Sequence, residues 1–296
     1  MNYYEKIKSE LINNEVYKRV KDYSKNKSDL NTYYKVGKLL NDAGKSYGEG
    51  IIKKYSMKLE MELGKKYNER TLRRFRQFYN LFKNQKWSPV ATKLSWSHYC
   101  ELMAIKDINK IMYYIEICET QNLSKRKLRD CIKSHEYERL DDKTKEKLIN
   151  KEKVNAANLI KDPIFIRNKY NTDKISEKIL SEMILEDISF FLKELGVGYC
   201  FIDKEYPIKI GDRYNYIDML LYNIKDNCYV VIELKINEIK KEHIGQIETY
   251  MNFIDKNLKT INQNQTIGII VCKKKNGYLF KYVTNKNIYE REYELV

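Results

Sequence analysis

Three charged residues occupy places where the surrounding pattern calls for apolar side chains. Asp218 lies in Tyr216-Ile-Asp218-Met-Leu-Leu-Tyr222, and Glu233 and Lys235 lie in Tyr229-Val-Val-Ile-Glu233-Leu-Lys235. Both segments are hydrophobic enough to be central strands. A lone carboxylate buried in such a strand is costly unless a metal or a partner meets it. Glu233 and Lys235 are two apart and project from one sheet face, with Leu234 turned the other way into the core. Asp218, Glu233 and the Leu234 carbonyl are hard oxygen donors suited to Mg2+ (or Mn2+). Such an ion acidifies water and neutralises phosphate charge, so the set suits phosphodiester hydrolysis. Lys235 would orient or help deprotonate the nucleophile and stabilise the oxygens of the transition state. The alternative for Glu233 and Lys235 is a salt bridge at a strand end.

The elements must satisfy a parity condition. Asp218 shares the Glu233 face only if the hairpin loop holds an even number of residues or carries a bulge. One or the other is therefore expected. Ser176–Gly196 reads as one strong helix, with Glu177 on the same stripe as Leu180, Ile184, Ile188, Phe191 and Leu195. Glu177 is then a further metal or water ligand, or a glutamate favoured by the helix N-terminal dipole. In the helix after the hairpin, about 241–255, Gln246 and Tyr250 face together at i and i+4. Gln246 would touch the phosphate or the attacking water, or be an ordinary polar helix position, and Gly245 beside it would allow close helix–sheet approach. Other strands are expected at 199–203, 205–210, 265–272 and 279–283. The order of elements suggests a mixed sheet flanked by helices.

The chain of 296 residues carries 56 Lys plus Arg against 41 Asp plus Glu, a formal charge of +15. Residues 1–150 hold 33 basic and 20 acidic side chains, and residues 151–296 hold 23 and 21. An excess gathered in one half is the footprint of a polyanion binder. That half reads as helical throughout. Asn68 is expected to cap a helix to about Lys83 whose stripe is Leu72, Phe75, Tyr79 and Phe82, flanked by Arg70, Arg73, Arg74 and Arg76. With the segment before it, Ile51–Leu63, this forms a helix-turn-helix-like pair. A loop is expected over 85–94, Ser97 as a helix cap, and helices at 107–120 and 124–133, the last carrying Lys125, Arg126 and Lys127. Residues 137–162 read as a helical connector, with domains at 1–150 and 151–296. The fold class is α+β in two domains, all-helical then α/β.

Six scattered cysteines without a CxxC pair argue against a zinc ribbon or redox motif, and three dispersed histidines leave metal chemistry to carboxylates. No apolar run approaches the ~20 residues of a membrane helix. The N-terminus MNYYEKIKSE lacks the apolar core of a secretory signal, so a cytoplasmic chain with no membrane partner is expected.

These residues resemble a known family. IDMLLY, VVIELK, Gly245-Gln246 through Tyr250 and FLKELGVGYCF are similar to the PD-(D/E)XK nuclease domain of the YhcG family. LRRFRQFYNLF, LSWSHYCELM and the stretch Leu123–Leu140 ending SHEYERL resemble that family's helical N-terminal domain. The resemblance spans about residues 30–296. It implies a restriction-endonuclease-like fold and Mg2+-dependent DNA cleavage, with Asp218, Glu233 and Lys235 as the active site and Gln246 as a supporting helix residue. The family commonly has an acidic residue where this chain has Ser181, one turn after Glu177, which leaves Glu177 to serve as the helix ligand. The resulting reading is a metal-dependent DNA endonuclease docked through its basic half, with a homodimer allowed. The alternative is an inactive DNA-binding or assembly protein that keeps the fold. An RNA-directed protein is a third reading, lowered by the lack of a stacking pattern like that of RNA-recognition sheets.

Overall fold

The computed structural model describes residues 2–20, 25–48, 50–84, 93–150, 152, 154–170 and 175–296. The chain divides into two compact units, Met1–Tyr137 and Glu138–Val296.

The first unit is helical, as its periodicity requires: α1 (Tyr3–Val20), α2 (Lys25–Tyr47), α3 (Gly50–Leu63), α4 (Glu69–Phe82), α5 (Trp96–Leu102), α6 (Ile108–Gln121) and α7 (Lys125–Lys133). Ile7 and Leu11 of α1, Val36 and Leu40 of α2, Ile52 and Leu59 of α3 and Leu72 and Phe75 of α4 close one core. Asn68 caps α4 as expected, accepting the Thr71 N–H at 3.0 Å. The buried stripe is Leu72, Phe75, Phe78 and Phe82, with Phe78 in place of the expected Tyr79. Phe78 meets Phe82, Trp96 and Tyr99 edge-on at 5.0–5.4 Å. Gly37 lets α2 cross α4 closely: a Cβ there would lie 2.1 Å from the Phe75 carbonyl oxygen. Helix α5 is capped by Ser95, two residues before the expected Ser97, because Ser95 and His98 close a capping box. Most of the loop expected over 85–94 lies outside the described residues.

The second unit runs α8 (Asp142–Ile149), β1 (Ile164–Ile166), α9 (Glu177–Glu186), α10 (Ile188–Leu195), β2 (Tyr199–Ile210), β3 (Arg213–Asn223), β4 (Cys228–Glu238), α11 (Lys241–Asn257), β5 (Ile267–Lys274), α12 (Gly277–Phe280) and β6 (Ile288–Leu295). The sheet order is β1-β6-β5-β4-β3-β2. Strands β1, β6, β5 and β4 are parallel neighbours, and β3 and β2 add antiparallel to one side. Alternation along the strands fills two cores. One holds Met219, Ile232 and Leu234 with Leu180, Ile184 and Phe191; the other holds Leu220 and Val231 with Ile247, Tyr250 and Ile254.

Several expectations change here. Residues 137–162 are not one helical connector: only α8 and a 3-10 turn at Ala156–Leu159 are helical. The segment is instead packed onto the second unit. Arg139 forms a buried ion pair with Glu194 at 2.5 Å and donates to the Pro163 carbonyl at 2.8 Å. The expected single helix over 176–196 breaks at Asp187, whose side chain caps α10 by accepting the Phe190 N–H at 3.1 Å. The two strands expected over 199–210 are one, with a register shift between Phe201 and Asp203. Residues 279–283 begin in a helical turn rather than a strand, and β1 and β6 are additional strands.

Candidate active site

The hairpin obeys the parity condition. Asn223 pairs with Cys228, leaving a four-residue loop, and the ladder runs in register to Met219 opposite Ile232. The next residues along each strand are Asp218 and Glu233, both on the face that carries Val231 and Leu220. There the β3–β4 pairing ends, while β4 continues beside β5 through Lys235 opposite Cys272. The site therefore sits where two neighbouring strands part company. Asp218 spans the gap: its Oδ2 accepts the Leu234 N–H at 2.7 Å.

Glu233 is 1% exposed, Lys235 is 8% exposed and Asp218 is half-buried. Lys235 Nζ donates to Glu233 Oε2 at 3.4 Å and to Glu177 Oε2 at 3.5 Å. The other oxygen of Glu233, Oε1, is buried and has no hydrogen-bond partner. Burial, and then the neighbouring Asp218 charge, push the Glu233 carboxyl up to about 8 despite Lys235. Asp218 is raised as well, chiefly by burial, against the pull of the Leu234 N–H and Lys235. Lys235 is held above the usual lysine range. Burial opposes its charge, but Glu233, Asp218 and Glu177 outweigh that opposition.

This set fits a divalent cation. An orphaned buried oxygen beside a second carboxylate is a place where positive charge is missing, and hard oxygen donors select Mg2+ or Mn2+. Among the described residues no three His, Cys, Asp or Glu side chains come close enough to hold a metal by themselves. A cation here would rest on Asp218, Glu233, a backbone carbonyl such as that of Leu234, and water.

The helices contribute unequally. Glu177 opens α9 and reaches Lys235, but its side chain is 46% exposed, so it stands at the mouth of the site and not on the buried stripe. Gln246 Nε2 donates to Tyr250 Oη at 3.0 Å, and burial together with the Glu233 and Asp218 charges raises the Tyr250 phenol. Gly245 has open space around it and mediates no close approach. The glycine that does so is Gly268 of β5, where a Cβ would meet Met251 Sδ at 2.5 Å. His243 was missed. Its imidazole is lowered by burial and by Lys235, which places it beside the site. It precedes Gln246 by three residues and Tyr250 by seven, a helical periodicity visible in the sequence.

In the first unit, Arg73 pairs with Glu69 at 2.6 Å, and Arg73 and Arg76 line a cleft of about 360 Å3. Arg70, Arg126 and Lys127 are exposed, and Arg74 is half-buried. Lys125 lies 3.4 Å from Glu101. Burial raises the Cys100 thiol while Arg74 and Lys125 both oppose the rise, so α5 brings cations of α4 and α7 into one neighbourhood. All six cysteines are free thiols. No helix among the described residues is long and apolar enough to cross a membrane.

A mixed sheet with two carboxylates and an amine at parted strands defines the class, that of PDDEXK nuclease domains. Residues 157–295 match the family described as YhcG PDDEXK nuclease domain, and residues 9–139 match the DUF1016 N-terminal domain. The chain belongs to the YhcG family. The Escherichia coli (strain K12) protein described as "Putative nuclease YhcG" is 21% identical over 288 residues, covering 83% of this chain and 77% of that protein. Among solved structures, a repair endonuclease from Pyrococcus abyssi shares 19% identity over 43% of this chain and 50% of its own, with a TM-score of 0.33. The EndoMS-dsDNA2 complex shares 18% identity over 44% and 49%, with a TM-score of 0.32. The chain thus spans about half the length of these solved chains, and a likeness of that extent carries no argument about substrate.

Proposed function

We propose that this protein is a metal-dependent DNA endonuclease that hydrolyses phosphodiester bonds, with its basic helical unit docking the DNA. The observation that carries this reading is Glu233: a carboxyl 1% exposed, with one oxygen unpartnered, between a second carboxylate and a lysine. A purely structural sheet has no use for such a group, because burying charge without full pairing is destabilising.

Asp218, Glu233 and the Leu234 carbonyl would hold Mg2+ or Mn2+, and Glu177 at the mouth would add a ligand directly or through water. When bound, the ion supplies Lewis-acid polarisation of the phosphate and acidification of water. In the metal-free site the neighbouring carboxylates hold Lys235 protonated, and from there it would donate hydrogen bonds to the phosphate oxygens as charge develops, or orient the nucleophile. Asp218, tied to the Leu234 N–H, fixes the spacing of the two strands and thereby the carboxylate pair. Gln246, braced by Tyr250, positions the attacking water or a phosphate oxygen. In the helical unit Arg70, Arg73, Arg74 and Arg76, with Lys125, Arg126 and Lys127, would contact phosphates, giving salt-dependent and largely sequence-independent affinity.

Cleavage of linear, branched and single-stranded DNA with Mg2+ or Mn2+ tests the reading. The wild type should cut at least one substrate. Glu233→Ala and Lys235→Ala should each slow cutting about 100-fold or more while remaining folded. Equal inertness of wild type and Glu233→Ala on every substrate would leave a DNA-binding or assembly protein.

A further inference from the structure

The connection between β5 and β6 holds an arrangement that hydrolysis itself does not use. Leu279, Phe280 and Val283 pack on the core under α11, whereas Tyr278 and Tyr282 are 83% and 85% exposed. The helical turn α12 and the three residues after it create this split, with three apolar side chains inward and two rings outward. It is also anchored. The Asn276 side chain accepts the Leu279 N–H at 3.1 Å, its backbone N–H donates to Glu290 at 3.1 Å, and its amide reaches the Ile239 carbonyl at 3.4 Å.

Positive charge lies beside the first of these rings. Lys281 Nζ lies 5.4 Å from the Tyr278 ring centroid, and Lys240, Lys241 and Lys274 are exposed. A cleft of about 440 Å3 opens beside Tyr278, lined also by Glu238, Lys274 and Lys281. Lys274, whose Nζ lies 3.4 Å from Glu238 Oε2, also pairs with that residue in register, five residues along β4 from Glu233, a distance of ~17 Å at strand rise. The core that seats α12 includes Val231 and Leu220, so the turn lies on the sheet face that carries Asp218 and Glu233.

Exposed aromatic rings interleaved with lysines are the pattern that binds unpaired nucleotides, since stacking needs a free base face and duplex bases offer none. We propose that α12 docks an unpaired DNA strand a few nucleotides from the scissile phosphate, so that the substrate class is DNA with a single-stranded segment, such as a flap or fork. Tyr278 and Tyr282 stack on bases, and Lys274 and Lys281 hold phosphates. The proposal rests on the nuclease reading for its substrate, and its test is a binding measurement that needs no cutting.

Fluorescence anisotropy of labelled oligothymidine, an RNA of equal length, a flap and a blunt duplex is measured with the full chain in EDTA. Wild type is compared with Tyr278→Ala/Tyr282→Ala and with Tyr278→Phe/Tyr282→Phe. The alanine pair should weaken oligothymidine and flap binding about tenfold or more. Blunt-duplex binding should stay unchanged, and the phenylalanine pair should bind as wild type does. Unaltered oligothymidine binding in the alanine pair, equal losses on oligothymidine and duplex, or tighter wild-type binding of an RNA of equal length would each overturn the proposal. Loss confined to single strands, in a protein that never cuts, would keep the docking site and discard the nuclease reading.

Discussion

The Asp218 carboxylate accepts the Leu234 backbone N–H at 2.7 Å, a side chain of β3 standing in for a ladder bond where β3 and β4 separate. Structure and chemistry therefore separate by substitution at this residue. Asp218→Asn keeps an acceptor for the N–H and removes the charge. Its stability should stay close to wild type while metal-supported cleavage is lost. Asp218→Ala leaves the N–H unsatisfied and should lose about 1–3 kcal/mol in urea unfolding as well. Equal stability of the two variants would contradict the role given to this hydrogen bond.

Glu233 makes the metal-free protein sensitive to pH. Its carboxyl is held at about 8 in the folded chain against an ordinary value of 4.5. The folded state binds this proton more tightly than the unfolded state, so stability falls as pH rises between those values. The contribution is complete below about 4.5 and absent above about 8. Urea unfolding in EDTA at pH 5, 6.5 and 8 should show this decline, and Glu233→Gln should flatten it. Parallel profiles would remove Glu233 as the source.

Two glycines should respond oppositely to alanine. Gly37→Ala drives a Cβ to 2.1 Å from the Phe75 carbonyl oxygen, a clash with backbone that should cost about 1–3 kcal/mol or more in the helical unit. Gly245→Ala meets open space in an exposed stretch of α11 and should stabilise by about 0.4–1 kcal/mol. Denaturant titration of both variants measures the contrast.

The segment after Tyr137 belongs to the folding of the sheet unit. Glu194 accepts from Arg139 at 2.5 Å and from the Phe165 N–H at 3.0 Å, and both charged partners are buried. Removing one member of such a pair strands the other, so Arg139→Ala should cost about 3–5 kcal/mol. A fragment spanning 138–296 should unfold cooperatively, whereas one spanning 151–296 should not. Circular dichroism melts of the two fragments decide the matter.

Much of the site was legible because its signal is local. Charges two apart in an apolar strand, and an even-loop hairpin that sets Asp218 beside Glu233, need only the period of a strand. The cap at Asn68 is likewise a matter of a few neighbouring residues. What escaped depends on distant partners. Strand β6 reads Ile-Tyr-Glu-Arg-Glu-Tyr-Glu-Leu, too charged to look like an inner strand. Yet Arg291 is buried because carbonyls of Ile160 and Ala157, more than a hundred positions earlier, accept its guanidinium at 3.2 Å. The turn at 277–280 depends on Asn276 being held by Glu290 and Ile239, and the exposure of Glu177 depends on its place at the start of α9, facing Lys235 of a distant strand. Neither is written in the periodicity of the segment itself.

The central claim is that the unpartnered oxygen of Glu233 awaits a divalent ion, and calorimetric titration of the full-length protein with Mn2+ tests it most directly. Wild type should bind Mn2+ with measurable heat, Glu233→Gln and Asp218→Asn should lose that binding, and Arg73→Gln in the helical unit should keep it. Undiminished Mn2+ binding by Glu233→Gln would contradict the account.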